Sequence, residues 1–178
     1  LKLATLTSIA LIAVNSIVAP KISQMYSEND LHNLQKTIQQ STKMIFIVSL
    51  PLLLIYFIFP TEMMSIFGES FKVGSAALII LSVGQFVNAM SGPVGQVLNM
   101  TDREHVLRNT AIIAVLINFT LNYILIPLYG IDGAAVSTAI TGIIWNLLCV
   151  VYIYKKMEIL VIYLPFISTQ FKNKEYLT

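Results

Sequence analysis

Five long apolar stretches separated by short polar segments dominate the pattern of the chain. None of them contains Asp, Glu, Lys or Arg, and they cover residues 3–18, 44–59, 73–98, 111–128 and 134–154. A helix needs about 20 mostly apolar residues to cross the hydrocarbon core of a bilayer. The pattern therefore predicts an all-α integral membrane protein, a polytopic bundle of about five transmembrane helices.

The polar segment between the first two stretches has its own periodicity. Leu31, Leu34 and Ile38 recur at helical spacing among charged and amide residues, which is typical of an amphipathic helix. Asp30 is a candidate N-cap for it. We expect this helix over about 21–42, on the cytoplasmic surface of the membrane.

Polar residues predict the starts of the fourth and fifth helices. The role of one further apolar segment is not decided by the sequence. Thr101 and Glu104 stand at capping-box spacing before the fourth stretch, and Asp132 is a candidate cap for the fifth. Residues 160–171 are apolar but too short to cross a bilayer. This last segment is either an interfacial piece or the start of a further span.

Composition supports the membrane assignment and excludes several classes of protein. Of the 178 residues, 56% are hydrophobic and 11% are charged, whereas a soluble domain has about 25% charged residues. A net charge of +2 is too small for a nucleic-acid-binding surface. The single cysteine, Cys149, excludes a disulfide within the chain and a Cys-based metal site.

Loop charges predict the orientation of the spans. Between the second and third stretches the loop contains one basic residue, Lys72, and the next outer loop contains none. Seven basic residues fall on the other side: Lys21, Lys36, Lys43, Arg103, Arg108, Lys155 and Lys156. Because basic residues are retained on the cytoplasmic side, we expect these seven to be cytoplasmic.

Polar side chains inside the third stretch form a stripe along one helical face. Its members recur every three or four residues: Gln85, Asn88, Gly92, Gln96 and Asn99. Asn118 and Asn122 repeat the pattern in the fourth stretch. A polar group in hydrocarbon faces protein or water, so we take the six amides as candidates for lining a substrate path. The alternative is that they bond to neighbouring helices as packing contacts.

Other features of the spans are weaker indications of a site. Gly92, Pro93 and Gly95 are candidate hinge residues, because proline and glycine interrupt helices at the substrate paths of transporters; a static kink is the alternative. Asn15 lies alone in the first stretch. Trp145, in the fifth, is more typical of bundle packing than of a sugar-stacking site.

No sequence pattern indicates an enzyme. The chain has no phosphate-binding glycine loop, no metalloprotease motif and no pair of carboxylates within the spans. We therefore expect no catalytic residue, no metal site and no cofactor. The first residues are already apolar and are not preceded by Met, so we also expect a piece of a longer membrane protein.

Three segments carry a resemblance to a known family. They are VAPKIS at 18–23, SGPVGQVLNMT at 91–101 and LIPLYGIDGAA at 125–135, the last preceded by Asn122. Together they resemble the Wzx-like O-antigen and capsule flippases, the oligosaccharide branch of the MOP superfamily that includes the MATE exporters. The resemblance covers most of residues 5–158.

The resemblance implies a fold, a substrate and partners. The chain would be the C-terminal lobe of a two-lobed transporter of the bacterial inner membrane, its N-terminal lobe missing here. The substrate would be an undecaprenyl-pyrophosphate-linked oligosaccharide, flipped by alternating access for surface polysaccharide synthesis. The implied partners are the lipid bilayer, the other lobe and the polysaccharide polymerase machinery, with no nucleic acid. Cations for the pyrophosphate would lie in the other lobe.

Three other functions remain open from the residues. A MATE-like multidrug or cation antiporter would need an acidic residue in the membrane, and the five stretches contain none. A membrane polysaccharide polymerase or glycosyltransferase would need a catalytic base, usually in a large outer loop, and the outer loops here are short. A scaffold without transport is the third alternative, against which the polar stripe argues weakly.

Overall fold

The computed structural model describes residues 2–162, with side chains from Ile12 onward. The apolar segment predicted over 160–171 thus lies outside the described residues beyond Ile162. In order, the helices are α1 (Lys2–Ser27), α2 (Leu31–Ile58), α3 (Pro60–Ser65), a 3-10 helix (Glu69–Gly74), α4 (Ser75–Ser91), α5 (Val94–Asn99) and α6 (Glu104–Met157). Residues 2–162 contain no β-strand, which confirms the all-α prediction.

Three helical stretches of the described chain are long and apolar enough to cross a membrane. They are Leu31–Ile58, Glu69–Ser91 and Glu104–Met157. The last contains 54 residues and would be about 80 Å long if straight, far more than the roughly 30 Å of a hydrocarbon core. It is not straight, because Gly130 has a φ of 57° and a ψ of −125°, a conformation that suits glycine.

Side-chain contacts show that α6 folds back on itself at Gly130. The Thr110 hydroxyl lies 3.7 Å from Cys149 Sγ, and Asn118 Nδ2 donates to Thr141 Oγ1 at 3.4 Å. Both pairs are centred on the peptide bond just before Gly130. The two halves of α6 therefore run antiparallel, and they contain the predicted fourth and fifth stretches.

Neither predicted cap of these two stretches forms. The Thr101 hydroxyl donates to the Val97 carbonyl at 2.7 Å, and no side chain caps α6 at Arg103. The short helix α5 ends in carbonyls without helical partners, and the threonine satisfies one of these rather than starting the next helix. At the apex the helix resumes without a cap from Asp132, whose Oδ1 is buried and has no hydrogen bond.

The boundary between α1 and α2 differs from the expected separate helix over 21–42. Helix α1 continues through Lys21 to Ser27, and after a short turn α2 runs unbroken into the second apolar stretch. Asp30 does cap α2, accepting a hydrogen bond from the Asn33 backbone N–H at 3.1 Å and from Asn33 Nδ2 at 2.7 Å. These bonds, the side-chain one above all, lower the pKa of Asp30.

One end of the bundle, which we call the basic end, gathers the ends of α1, α2, α5 and α6. Arg103 Nη1 there donates to the Tyr26 hydroxyl at 3.0 Å and to the Thr101 carbonyl at 2.8 Å. A hydrophobic cluster lies beside these contacts and includes Ile22, Leu34, Ile38, Val97, Leu98, Cys149 and Ile153. Burial of this cluster joins four helices at the basic end.

The middle of the bundle is organised by α4, which packs between α2 and α6. The rings of Phe46 and Phe86 meet edge to face, with centroids 5.7 Å apart. Gly84 approaches the backbone of Ala139 in the second half of α6. These contacts hold α4 in place, and with it the amide stripe that α4 carries.

After α6 the chain returns across the basic end as a non-helical segment, residues 158–162, which we call the strap. Gln39 Nε2 donates to the Leu160 carbonyl at 3.2 Å, and Thr42 Oγ1 donates to the Val161 carbonyl at 3.0 Å. Ile159 and Val161 are buried. The strap thereby connects the end of α6 to the side of α2.

Thr42→Val is expected to lower the free energy of unfolding by about 1–2 kcal/mol, because it leaves the buried Val161 carbonyl without its side-chain donor. The melting temperature of the purified full-length protein, with hydrogen exchange of residues 158–162, measures the effect. Thr120→Val is the matched control, since its exposed hydroxyl donates one turn back to Leu116. Equal melting temperatures of the two variants would contradict the role given to Thr42.

Candidate substrate cavity

A cavity of about 300 Å³ opens between α1, α4, α5 and α6 in the half of the bundle toward the basic end. Its polar lining consists of Asn15 from α1, Asn88 from α4, and Gln96 and Asn99 from α5. Trp145 from the second half of α6 lines it as well. The cavity is thus built from residues distant in the sequence.

The break between α4 and α5 shapes one wall of this cavity. Gly92 has a φ of 70° and a ψ of −150°, a conformation that is essentially confined to glycine. It is buried against α2, so closely that an added Cβ would overlap the Thr42 side chain. Pro93 follows, without a backbone N–H, and α5 begins at Val94.

The three candidate hinge residues therefore lie at the cavity but in different settings. Gly92 and Gly95 line the cavity, whereas Pro93 is buried. An added Cβ at Gly95 would come within 3.7 Å of the Trp145 ring and 4.0 Å of Leu107. The bare backbone at Gly95 consequently leaves room beside the indole.

The amide stripe is divided by the structure. Asn88, Gln96 and Asn99 line the cavity, while Gln85, one turn earlier on α4, accepts a hydrogen bond from Asn88 Nδ2 at 3.3 Å. Gln85 thus contacts a lining residue, Asn88, and is not itself among the described residues that line the cavity. Amides before and after the break at Gly92 line the same cavity, because α5 continues on the same side of the bundle as α4.

Asn118 and Asn122 lie elsewhere, between the halves of α6. Asn122 Nδ2 donates to Asn118 Oδ1 at 2.8 Å, and Asn118 in turn donates to Thr141 Oγ1. The Thr141 hydroxyl then donates to the Ser137 carbonyl at 2.7 Å. This chain of hydrogen bonds ties the hairpin together and is separate from the described lining of the cavity.

Asn15 and Trp145 line the cavity, although the sequence indicated a role in a site only weakly for either. Asn15 Oδ1 is buried and has no hydrogen-bond partner, although the cavity lies beside it. In the sequence Asn15 is a single amide without a stripe, and Trp145 is one large residue among many. Their places in the lining depend on how α1 and α6 pack around α5, which requires coordinates.

The chemistry of the cavity is that of neutral hydrogen bonding. Each amide supplies both donors and an acceptor, and the described residues that line the cavity include no ionisable side chain. Within residues 2–162, no group of three or more His, Cys, Asp or Glu is placed to hold a metal ion. Such a lining suits a hydroxyl-rich ligand, and it offers no nucleophile or proton carrier.

Comparison with known proteins agrees with this architecture. The sequence model of the MatE family matches residues 1–124. The chain belongs to the MatE family. This MatE-family protein is therefore a multi-pass membrane protein of a transporter family within the MOP superfamily, as the resemblance implied.

Two named relatives are probable flippases of Haloferax volcanii. The probable low-salt glycan biosynthesis flippase Agl15 is 32% identical over 130 residues, which are 72% of this chain and 28% of the relative. The probable flippase AglR is 24% identical over 151 residues, 83% of this chain and 32% of the relative. The chain thus spans about a third or less of the length of these relatives.

A further relative is an uncharacterized membrane protein of Methanocaldococcus jannaschii. It is 24% identical over 170 residues, which are 93% of this chain and 31% of that protein. No solved structure matches the chain. The similarity to flippases is therefore a similarity of sequence.

Proposed function

We propose that this MatE-family protein is one lobe of a flippase that moves lipid-linked oligosaccharides across the cytoplasmic membrane. The observation that carries the proposal is the cavity lined by Asn88, Gln96 and Asn99, because neutral amides match the donors and acceptors of sugar hydroxyls. The similarity to a probable glycan biosynthesis flippase supports it. Substrate path residues are thus assigned to α4 and α5.

The mechanism follows from where polar and apolar surfaces lie. Sugar hydroxyls exchange their bonds to water for bonds to the amides, while the lipid chain stays in the bilayer. Rocking of this lobe against the other lobe then opens the cavity to either side in turn. The basic end would face the cytoplasm, in accordance with the charge of its loops.

The finer version of the proposal names the lipid and the membrane. The sequence resemblance favours undecaprenyl pyrophosphate and a bacterial inner membrane, with surface polysaccharide as the product and its polymerase machinery as a partner. The named relatives are archaeal, so we propose a lipid-linked glycan as the substrate class without specifying the organism. The other lobe would complete the cavity and bind the phosphate groups.

A second candidate function is a MATE-like cation or drug antiporter, and one observation favours it. Asp132 Oδ1 is buried without a hydrogen bond at the apex of the α6 hairpin. Coupling to H⁺ or Na⁺ requires an acidic side chain, and Asp132 is placed between the fourth and fifth apolar stretches, at the edge of the membrane rather than inside it. In this version Asp132 would bind the cation, and the amides of the cavity would contact the drug.

Reconstitution of the full-length protein in liposomes distinguishes the two functions. A polyprenyl-diphosphate oligosaccharide placed in the inner leaflet is expected to become accessible to an external, membrane-impermeant glycosidase. Liposomes without protein give the background. Unchanged accessibility, together with Na⁺- or H⁺-driven exchange of a cationic dye, would reject the flippase and support the antiporter.

A further inference from the structure

The size of the cavity limits what enters it. Its volume of about 300 Å³ lies at the lower end of the range of small-molecule pockets, about 300–1,000 Å³. That volume suits a single sugar ring rather than a whole oligosaccharide. The cavity of this half of the protein is therefore one subsite of a longer path.

The indole of Trp145 provides a flat surface within this subsite. Trp145 is half-buried and packs against the hydrophobic cluster of the basic end, so its position is fixed. A methyl group at Gly95 would lie 3.7 Å from the indole, so the glycine keeps that side chain out of the cavity beside the ring. An aromatic face offers an apolar surface with a negative π cloud, against which the C–H groups of a sugar ring can pack.

Asn15 supplies an acceptor that lacks a donor. Its Oδ1 is buried and unpaired in the described structure, and a buried acceptor without a partner is unfavourable. A ligand hydroxyl that donates to this oxygen would remove the penalty. The site is therefore complementary to a ligand that has a hydroxyl group on the edge facing α1.

The described lining residues carry no ionisable group, so this part of the cavity favours an uncharged ligand. A carboxylate or phosphate placed there would lose its hydration without gaining a cation. The polar lining residues are neutral amides, and these form hydrogen bonds with uncharged hydroxyl groups. An acidic sugar or the diphosphate is accordingly disfavoured in this subsite.

We propose that the cavity is a recognition subsite for one uncharged sugar ring, which stacks on Trp145 and donates a hydroxyl hydrogen to Asn15. This inference rests on the proposed flippase function and specifies its substrate at one position. It makes Trp145 and Asn15 specificity-determining residues. Asn88, Gln96 and Asn99 contribute the remaining hydrogen bonds.

The test compares two lipid-linked monosaccharides in liposomes that contain the full-length protein. One is a polyprenyl-diphosphate hexose, and the other is the corresponding hexuronic acid. We expect wild-type protein to flip the hexose at least about tenfold faster. Trp145→Leu is expected to slow hexose flipping about tenfold, a factor that corresponds to loss of a stacking contact, and Trp145→Phe is expected to retain most of it.

A control and a second variant complete the experiment. Tyr129→Leu removes an exposed aromatic ring at the hairpin apex and is expected to leave flipping unchanged. Should Trp145→Leu fail to yield folded protein, Asn15→Leu tests the same subsite and is expected to slow hexose flipping severalfold. Quenching of indole fluorescence by free hexose in wild type, compared with Trp145→Phe, reports sugar binding directly.

The possible outcomes distinguish a failure of the proposed subsite from a failure of the proposed flippase function. If wild-type protein flips both substrates equally, or if Trp145→Leu and Asn15→Leu flip the hexose like wild type, the subsite is wrong and the flippase function stands. If wild-type protein flips neither the monosaccharides nor the oligosaccharide, the proposed function fails and the subsite fails with it. Slower hexose flipping by the variants, with the hexose preferred in wild type, supports the subsite.

Discussion

Gly92→Ala is expected to destabilise the protein by about 2–6 kcal/mol, the largest effect of any substitution proposed for the chain. The φ of 70° and ψ of −150° at this position cost a residue with a Cβ about 1–3 kcal/mol. The added methyl group would also overlap the side chain of Thr42, and overpacking costs about 1–3 kcal/mol more. The whole free energy of unfolding of a typical protein is only about 5–15 kcal/mol.

The melting temperature and yield of the purified full-length variant measure this effect. Gly142→Ala is the matched control, because a Cβ at Gly142 meets nothing within 4 Å and alanine favours a helix. The double variant Gly92→Ala/Thr42→Ala is expected to recover a small part of the loss, since it removes Thr42 Oγ1 and Cγ2 but leaves the Thr42 Cβ at 2.8 Å from the added methyl group and leaves the backbone strain. A Gly92→Ala protein as stable as Gly142→Ala would show that the break is not as tight as described.

The second large effect is expected on transport. Asn88→Leu/Gln96→Leu removes two amides from the cavity while preserving side-chain volume approximately. If each amide contributes a hydrogen bond of about 1 kcal/mol to the sugar, flipping at low substrate concentration falls about tenfold to thirtyfold. The liposome assay with a lipid-linked oligosaccharide measures the rate per folded molecule.

Two control variants show whether the lower flipping rate results from the loss of amides in the cavity. Gln40→Leu changes an exposed amide of α2 and is expected to flip substrate like wild type. Asn118→Leu breaks the hydrogen bond to Thr141, so it is expected to lower the melting temperature while preserving flipping by the molecules that remain folded. A rate for the double variant equal to that of Gln40→Leu would exclude Asn88 and Gln96 from the path.

Local periodicity was sufficient to predict features that depend only on residues near one another in the sequence. The recurrence of Asn88, Gln96 and Asn99 every few residues placed them on one side of the chain, and Gly92-Pro93 marked the interruption between α4 and α5. Both features depend on the helical repeat and on the stereochemistry of two residues. They need no information about the partner helices.

Features that depend on distant parts of the chain were not accessible in this way. The motif at Thr101 and Glu104 has capping-box spacing, yet the Thr101 hydroxyl bonds to Val97 because α5 ends there. Asn15 reaches the same cavity as Trp145 only after α1 and α6 pack around α5. Asn118, spaced like the stripe, was separated from it because α6 folds back on itself.

The position of Thr42 has a mechanical consequence. This one residue packs against Gly92 at the break and holds the strap through the Val161 carbonyl. Thr42 thus fills the space beside Gly92, and its hydroxyl is itself held by the strap. We therefore expect the break to act as a rigid corner, with α2, α5 and the strap moving as one block, so that any relative motion would occur at the edge of this block.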